Sequence, residues 1–355
     1  MSAIGLADGL RERDVSFNLF RTALRQNDLS ASQGWEKTLD KLAERLGQDK
    51  SLGTYEAGLK DIYTDLTLFG NKVVKIFSLP EQLEELATSM DSGFINEKSV
   101  YKKTFPLPLE QEALAAAPLD VDCVAKWSSA EGPAFILCSK QYVVEREALP
   151  SGALNDETVD EFGQFDELYG VRKKALQLFD VIAFNFNRGT VEIRMDGLAQ
   201  QRLSDVEKRL KFVQNLINQY AEANLGTAQI LPAPTNFYPC IKKLYESSDG
   251  RIGEIGHSTE SAGIHRGKMR RRADDFRDDK YHVGGVKGVS ELNAHMLAKR
   301  WDSPTRHGTV ELLIPGTLSI ASLTNPVIDI ALILSCASED DYNFVTTKLF
   351  DSLKT

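Results

Sequence analysis

The clearest structural pattern in this chain is the stretch FDVIAFNFNRGTVEIRM at residues 179–195. Its two ends are rich in apolar and β-branched residues, which favour strands. Between them, Asn187–Gly189 has the composition of a short glycine-containing loop, so the stretch predicts a β-hairpin. Further strand-like runs occur at 73–77, 120–127, 134–138, 141–145 and 309–314. The hairpin is therefore expected to belong to a larger sheet.

Helical patterns surround these strands. The first 65 residues carry apolar side chains at helical spacing, among them Phe17, Phe20 and Leu24. A long helix is predicted after the hairpin, with Ser204 as its N-cap and Gly226 as its end. The pattern predicts the α+β class (mixed α/β), with a helical N-terminal lobe followed by a mixed-sheet C-terminal domain.

The acidic segment LPSGALNDETVDE at 149–161 predicts a domain boundary, because it is rich in residues that favour loops. It would divide the chain into a helical and mixed domain (1–155) and an α+β domain (160–355). Two strand-like segments, GTVEIRMDG from Gly189 and GTVELLIPG from Gly308, raise the hypothesis of a duplicated unit. An identity this short is expected about once by chance in such a chain.

Composition excludes several protein classes. The 355 residues include 42 Lys+Arg and 51 Asp+Glu, a net charge of −9, and 42 % are hydrophobic. These values do not fit disordered, collagenous or disulfide-scaffold proteins. The N-terminus lacks the pattern of a secretory signal, and the apolar run 327–334 is too short to span a bilayer. Four scattered cysteines show no metal-binding spacing. We expect a cytoplasmic protein without membrane association.

All five histidines lie within a Gly/His/Arg-rich segment at 251–308. Histidine can change its charge near neutral pH, arginine can bind phosphate through two hydrogen bonds, and glycine allows close approach of a ligand. The sequence therefore predicts a binding surface here, on an otherwise acidic body.

One group of candidate ligand-binding residues lies in the basic run HRGKMRRR. Its members are Arg266, Lys268, Arg270, Arg271 and Arg272. A basic run of this kind is typical of phosphate-contact elements. The alternative is a solvated helix face, since aspartates follow four residues after Arg270 and Arg271 and would partly neutralise them.

A second group lies in HVGGVKGVS. It comprises His282, Gly284, Gly285, Lys287 and Ser290, and Ser290 is predicted to cap a helix that follows it. A glycine-rich loop leading into a helix N-terminus would bind an anion through free backbone N–H groups. The run matches neither nucleotide-binding glycine motif, so an ordinary flexible loop is the alternative.

Two triplets begin with histidine, His257-Ser-Thr and His307-Gly-Thr. The pair resembles the His-x-Ser/Thr elements of two-histidine phosphoesterases. This resemblance implies that one imidazole acts as base and the other as acid on a phosphodiester. His257 and His307 are therefore the candidate catalytic residues. No motif identifies a metal site, although Mg or Mn bound by nearby carboxylates is conceivable for an enzyme.

Three functions remain open from the sequence. The first is binding of nucleic acid, a nucleotide or another polyphosphate through the basic, histidine-rich segment. The second is a phosphodiester-cleaving enzyme, such as a nuclease, that uses the same histidines or carboxylate-bound metal. The third is a non-catalytic subunit of a protein complex, whose segment contacts a protein partner.

Overall fold

A computed structural model describes residues 3–48, 53–149, 165, 167–196, 201–259, 263–290 and 292–354. Within them, ten strands form one sheet in the order β2-β3-β4-β5-β1-β10-β9-β8-β6-β7. The strands are β1 (Lys72–Ser78), β2 (Asp122–Ser128), β3 (Pro133–Leu149), β4 (Leu168–Asn185), β5 (Thr190–Met195), β6 (Arg251–Ser258), β7 (Ile264–Lys268), β8 (Asn293–Asp302), β9 (Thr309–Ile314) and β10 (Ala331–Leu334). Every pairing between them is antiparallel.

The helices concentrate in the first part of the chain. They are α1 (Ala3–Glu12), α2 (Phe17–Gln26), α3 (Gly34–Gln48), α4 (Gly53–Leu68), α5 (Leu83–Gly93), α6 (Gln111–Ala116), α7 (Leu203–Leu225), α8 (Cys240–Glu246), α9 (Lys280–Val286), α10 (Leu318–Ala321) and α11 (Glu339–Leu353). The predicted α+β class with a helical N-terminal region is confirmed. Among the described helices, none is both long and apolar enough to cross a bilayer.

The predicted hairpin at 179–195 is confirmed as β4 and β5. Gly189 adopts a left-handed φ of 64°, which glycine accepts without strain. The side chain of Asn185 accepts a hydrogen bond of 2.9 Å from the backbone N–H of Arg188. The long helix α7 is also confirmed and ends at Gly226, whose φ is 69°. Its N-cap is Arg202, so Ser204 lies in the first turn and is not the cap.

Two hydrophobic layers cover the sheet, one on each side. Face A packs against α8 and α11, through residues such as Ile241 and Val345. Face B packs against α5 and α7, through residues such as Leu86 and Leu210. Burial of these apolar side chains on both sides is the main favourable term for this arrangement.

The repeated GTVE segments do not occupy equivalent positions. Val191 on β5 belongs to the face B core, whereas Val310 on β9 belongs to the face A core. If β5 and β9 were duplicated units, a two-fold axis normal to the sheet would relate them, because the two strands run antiparallel. Such an axis does not exchange the two faces, so Val191 and Val310 would lie on the same face. The identity therefore marks no internal symmetry of this sheet.

A buried charge network joins the helical N-terminal region to the sheet. Asp196, at the end of β5, accepts from the guanidinium of Arg13 at 3.0 Å and from Lys72 Nζ at 3.4 Å. Its backbone N–H donates to Asp180 at 2.8 Å, and Arg209 of α7 also pairs with Asp180. Burial opposes ionisation, yet the cations Lys72 and Arg13 hold the pKa of Asp196 below its usual value.

The proposed domain boundary stays a prediction. Most of the segment 149–161 lies outside the described residues. On either side of it, β3 and β4 continue one antiparallel ladder from Ala134↔Ala183 to Leu149↔Leu168.

Candidate functional site

The histidine-rich segment forms a cleft at the β7 edge of the sheet. Strands β6 and β7 supply one wall, and the 3-10 turn Phe276–Asp278 with helix α9 supplies the other. The cleft has a volume of about 690 Å³. Its lining residues include His257, Thr259, His265, Arg266, Gly267, Lys268, Phe276, Asp279, Lys280, Tyr281, His282, Gly284 and Gly285.

Three imidazoles converge in this cleft. His257 and His265 lie directly opposite each other in the β6–β7 ladder, and their rings stack at a centroid distance of 5.3 Å. His282, on α9, contacts His257 edge-on at 5.9 Å. Its Nε2 lies 2.8 Å from the hydroxyl of Tyr245, which holds the ring in place.

The position of His282 follows from the local sequence before it. Asp279 caps α9, because its carboxylate accepts hydrogen bonds of 3.0 Å from the backbone N–H groups of Tyr281 and His282. The cap sets the start of the helix, and His282 consequently falls on the buried side.

Burial keeps His257 neutral at pH 7. Desolvation, followed by the neighbouring imidazoles of His265 and His282, lowers the pKa of His257 to about 4. Its Nδ1 is buried and has no hydrogen-bond partner among the described residues. A neutral imidazole keeps one nitrogen without a proton, and that nitrogen can accept a proton or a hydrogen bond.

Glycine residues line both walls of the cleft, but only Gly267 is required by close packing. A Cβ at Gly267 would lie 2.0 Å from the ring of Phe276, so the ring can approach β7 only because this residue is glycine. Phe276 in turn packs against His282 at a centroid distance of 4.6 Å. At Gly284 and Gly285, by contrast, a Cβ would meet nothing within 4 Å.

The β7 wall carries a compact set of charges. The buried carboxylate of Glu254 pairs with Arg266 at 2.6 Å and with Lys268 at 3.0 Å. Burial opposes ionisation, but these two cations lower the pKa of Glu254. The group of three therefore has one net positive charge. Further exposed cations belong to the same segment, among them Arg270, Arg271, Lys280 and Lys287.

The structure brings together many of the predicted site residues. His257, Arg266, Lys268, His282, Gly284 and Gly285 all line the cleft. Lys287 lies just beyond it as the C-cap of α9. Arg272 points elsewhere, since it donates to the backbone oxygen of Thr309 and to Ser335 Oγ, each at 3.1 Å.

The predicted helix after Ser290 is wrong, because residues 293–302 form strand β8. Ser290 is therefore not a helix cap, and it lines a shallow groove beside α8. The glycines that were expected to precede a helix instead lie inside α9. Residues 270–273 form a turn, so the alternative of a helical basic face does not apply either.

His257 and His307 lie at the levels of opposite ends of strand β8. His257 is opposite Ala294 at the start of β8, whereas His307 lies in the turn beyond Asp302 at its end. At about 3.3 Å per residue, this separates them by about 25 Å. The backbone oxygen of His307 accepts a hydrogen bond from Gln26, on α2. One phosphate cannot contact both imidazoles in this structure.

The sequence pattern did not predict that His265 faces His257, nor that Tyr245 and Phe276 pack against His282. Only a hairpin prediction in the register Glu254↔Lys268 would have placed His265 opposite His257, whereas the other two approach only through tertiary packing. In the part of the chain that the structure describes, no three His, Cys, Asp or Glu side chains converge in a way that could hold a metal ion. The chain matches no protein-family model, no curated protein and no solved structure.

Proposed function

We propose that this protein binds single-stranded nucleic acid, with a nucleotide held in the histidine cleft. The observation that carries the proposal is the convergence of three imidazoles, small glycine residues and the cations Arg266, Lys268 and Lys280 in one cavity. Its volume, about 690 Å³, is in the range of small-ligand pockets, roughly 300–1,000 Å³.

The chemistry of the cleft suits both parts of a nucleotide. Arg266 and Lys268 together retain one positive charge beside Glu254, and the exposed lysines and arginines nearby can contact further phosphates. Tyr281 lines the cleft with 81 % of its side chain exposed, which leaves its ring accessible to a base. Aromatic stacking on bases is independent of sequence and supports single-strand binding.

Occlusion of the cleft at Gly284 tests the proposal. A Cβ at Gly284 would meet nothing within 4 Å, so a Phe adds a bulky ring at a residue that lines the cleft, whereas Ala adds only a methyl group. Binding of a short fluorescent oligouridine is measured by anisotropy. We expect Gly284→Phe to weaken binding by about tenfold or more, or about 1.4 kcal/mol. Gly284→Ala should bind as the parent does.

Failure would be unambiguous. If the parent does not bind the oligonucleotide at low salt, or if Gly284→Phe binds as tightly as Gly284→Ala, the cleft is not the site. Competition with ATP and with inorganic polyphosphate distinguishes a nucleic-acid site from one that accepts any polyphosphate.

The His257–His265 stack favours a second candidate function, metal-independent cleavage of RNA. His257, held neutral, would take the proton from a ribose 2′-hydroxyl, which then attacks the adjacent phosphorus. His265 would donate a proton to the departing 5′-oxygen. The products would be a cyclic phosphate and a 5′-hydroxyl, without a net change of protons.

Gel analysis of oligouridine incubated with the protein in EDTA tests this activity. We expect cleavage by the parent and its loss in His257→Gln and His265→Gln. His307→Gln is the matched control and should cleave normally. DNA of the same sequence should remain intact because it lacks the 2′-hydroxyl. Intact RNA after incubation with the parent would refute cleavage while leaving the binding proposal standing.

A further inference from the structure

The β3–β4 ribbon extends beyond the strand that flanks it. Strand β2 pairs with β3 only over Pro133–Cys138, whereas β3 continues to Leu149. Along 139–149, β4 pairs with one edge of β3, and no described strand pairs with the other. Such an edge presents backbone N–H and C=O groups that can pair with another strand.

One face of the same ribbon exposes four large apolar side chains, with the cations Arg146 and Lys173 between them. Tyr142, Val144, Tyr169 and Val171 are between 46 % and 64 % exposed. They share a face because residues directly opposite in the register, such as Arg146 and Val171, point to the same side. The other face buries Val143 and carries the surface ion pairs of Glu145.

The base of the ribbon is held in place by α6. Lys140 Nζ donates to the backbone oxygens of Ala115, at 2.8 Å, and Ala117. The hydroxyl of Tyr142 donates to Ala115 O at 3.4 Å. The open edge is therefore presented in a defined orientation, which reduces the entropic cost of binding a partner.

We propose that this edge pairs with the same edge of a second copy of the chain, antiparallel about a two-fold axis at Val144. The pairing joins the two sheets into one continuous sheet. It also brings the two apolar ribbon faces side by side. The histidine cleft, at the opposite β7 edge, stays open in this dimer.

Charges along the edge disfavour the registers next to this one. A two-fold axis normal to the sheet does not exchange the two faces. The axis therefore lies between the two paired strands, level with one residue that is opposite its own copy. An axis at Glu145 or Arg146 would place like charges directly opposite each other, which destabilises a sheet. An axis at Val143 would place Lys140 opposite Arg146.

An axis at Val144 avoids these clashes and pairs complementary groups. It places Tyr142 opposite Arg146 of the second copy, an arrangement suited to a cation–π contact. Val144 then lies opposite its own counterpart on the apolar face. This self-complementary pattern favours a second copy over an unrelated peptide as the occupant.

Cysteine cross-linking tests the register in the full-length chain. Directly opposite residues in an antiparallel pair have Cα atoms about 4.5–5.5 Å apart, within disulfide range. Val144→Cys should therefore form a disulfide-linked dimer under mild oxidation. Val171→Cys lies on the same face, one strand further in and two residues along from the axis, so its two copies would be about 20 Å apart and should not cross-link. The four native cysteines are buried and leave the background low.

Sedimentation provides an independent readout. The parent should sediment as a dimer at micromolar concentration, and Val144→Pro should shift it to a monomer because proline removes an edge N–H and disfavours pairing. Oligouridine binding by Val144→Pro should match that of the parent. A monomeric parent, or equal cross-linking at the two positions, would overturn the proposal without bearing on the function of the cleft.

Discussion

If the protein binds RNA as proposed, the exposed cations beside the cleft should make its affinity steeply dependent on salt. The rim consists of Arg270, Arg271, Lys280 and Lys287; Lys280 lines the cleft, and the other three lie within two residues of lining residues. Each neutralised phosphate of a single strand contributes about −0.7 to the slope of log K against log salt. If all four contact phosphates, the slope is about −2.8. Raising the salt from about 50 to about 200 mM then weakens binding by about 50-fold.

Removal of two of these cations should halve the slope. For Arg270→Ala/Arg271→Ala we expect a slope of about −1.4 and a loss of only about 7-fold over the same salt range. Lys208→Ala/Lys211→Ala is the matched control, because it removes the same charge from exposed positions on α7. Its slope should equal that of the parent.

Anisotropy titrations of fluorescent oligouridine at several salt concentrations measure these slopes. The reasoning is refuted if the Arg270/Arg271 variant keeps the slope of the parent. It is also refuted if both double variants lower the slope equally, since overall charge and not the rim would then determine affinity.

Three further predictions concern stability. Asp196→Asn should lower the free energy of unfolding by about 3–5 kcal/mol, because it leaves the buried Arg13 without its charged partner. Urea denaturation measures this loss, with Asp205→Asn as the exposed control. A loss below about 1 kcal/mol would contradict the prediction. The pKa of His257 is lower in the folded chain than its ordinary value of 6.5, so stability should fall as pH drops from about 6.5 toward 4. His257→Gln should reduce that fall in the urea midpoint, and an unchanged pH profile would count against it. Gly267→Ala should lower the free energy of unfolding by about 1–3 kcal/mol and weaken RNA binding, because its Cβ displaces the ring of Phe276. Gly267→Ala/Phe276→Leu should regain part of this stability. A further loss of stability in the double variant would argue against the steric cause.

Local sequence predicted the parts of the fold that depend on local physics. The β4–β5 hairpin was predictable because a glycine turn separates two strand-forming runs. The end of α7 was predictable because Gly226 takes a left-handed conformation that other residues resist. The helical N-terminal region followed from its apolar spacing.

Strand β8 shows where local preference fails. Its sequence, NAHMLAKRWD, contains good helix formers, and a capping serine precedes it. In the folded chain it lies between β6 and β9, with pairing on both edges. Those ladders and the burial of Leu297 and Trp301 outweigh a helix preference of a few tenths of a kcal/mol per residue.

The candidate site also has one part that the sequence predicted and another that only the folded structure decided. Composition alone located the histidine-rich, basic segment, because residue types and their clustering are properties of the chain itself. Which histidines meet was decided only by tertiary structure. The register between β6 and β7 places His257 against His265, and the length of β8 carries His307 to the far end of the sheet. The register of a hairpin and the order of strands in a sheet depend on pairing and burial in the folded chain, which a single sequence does not specify.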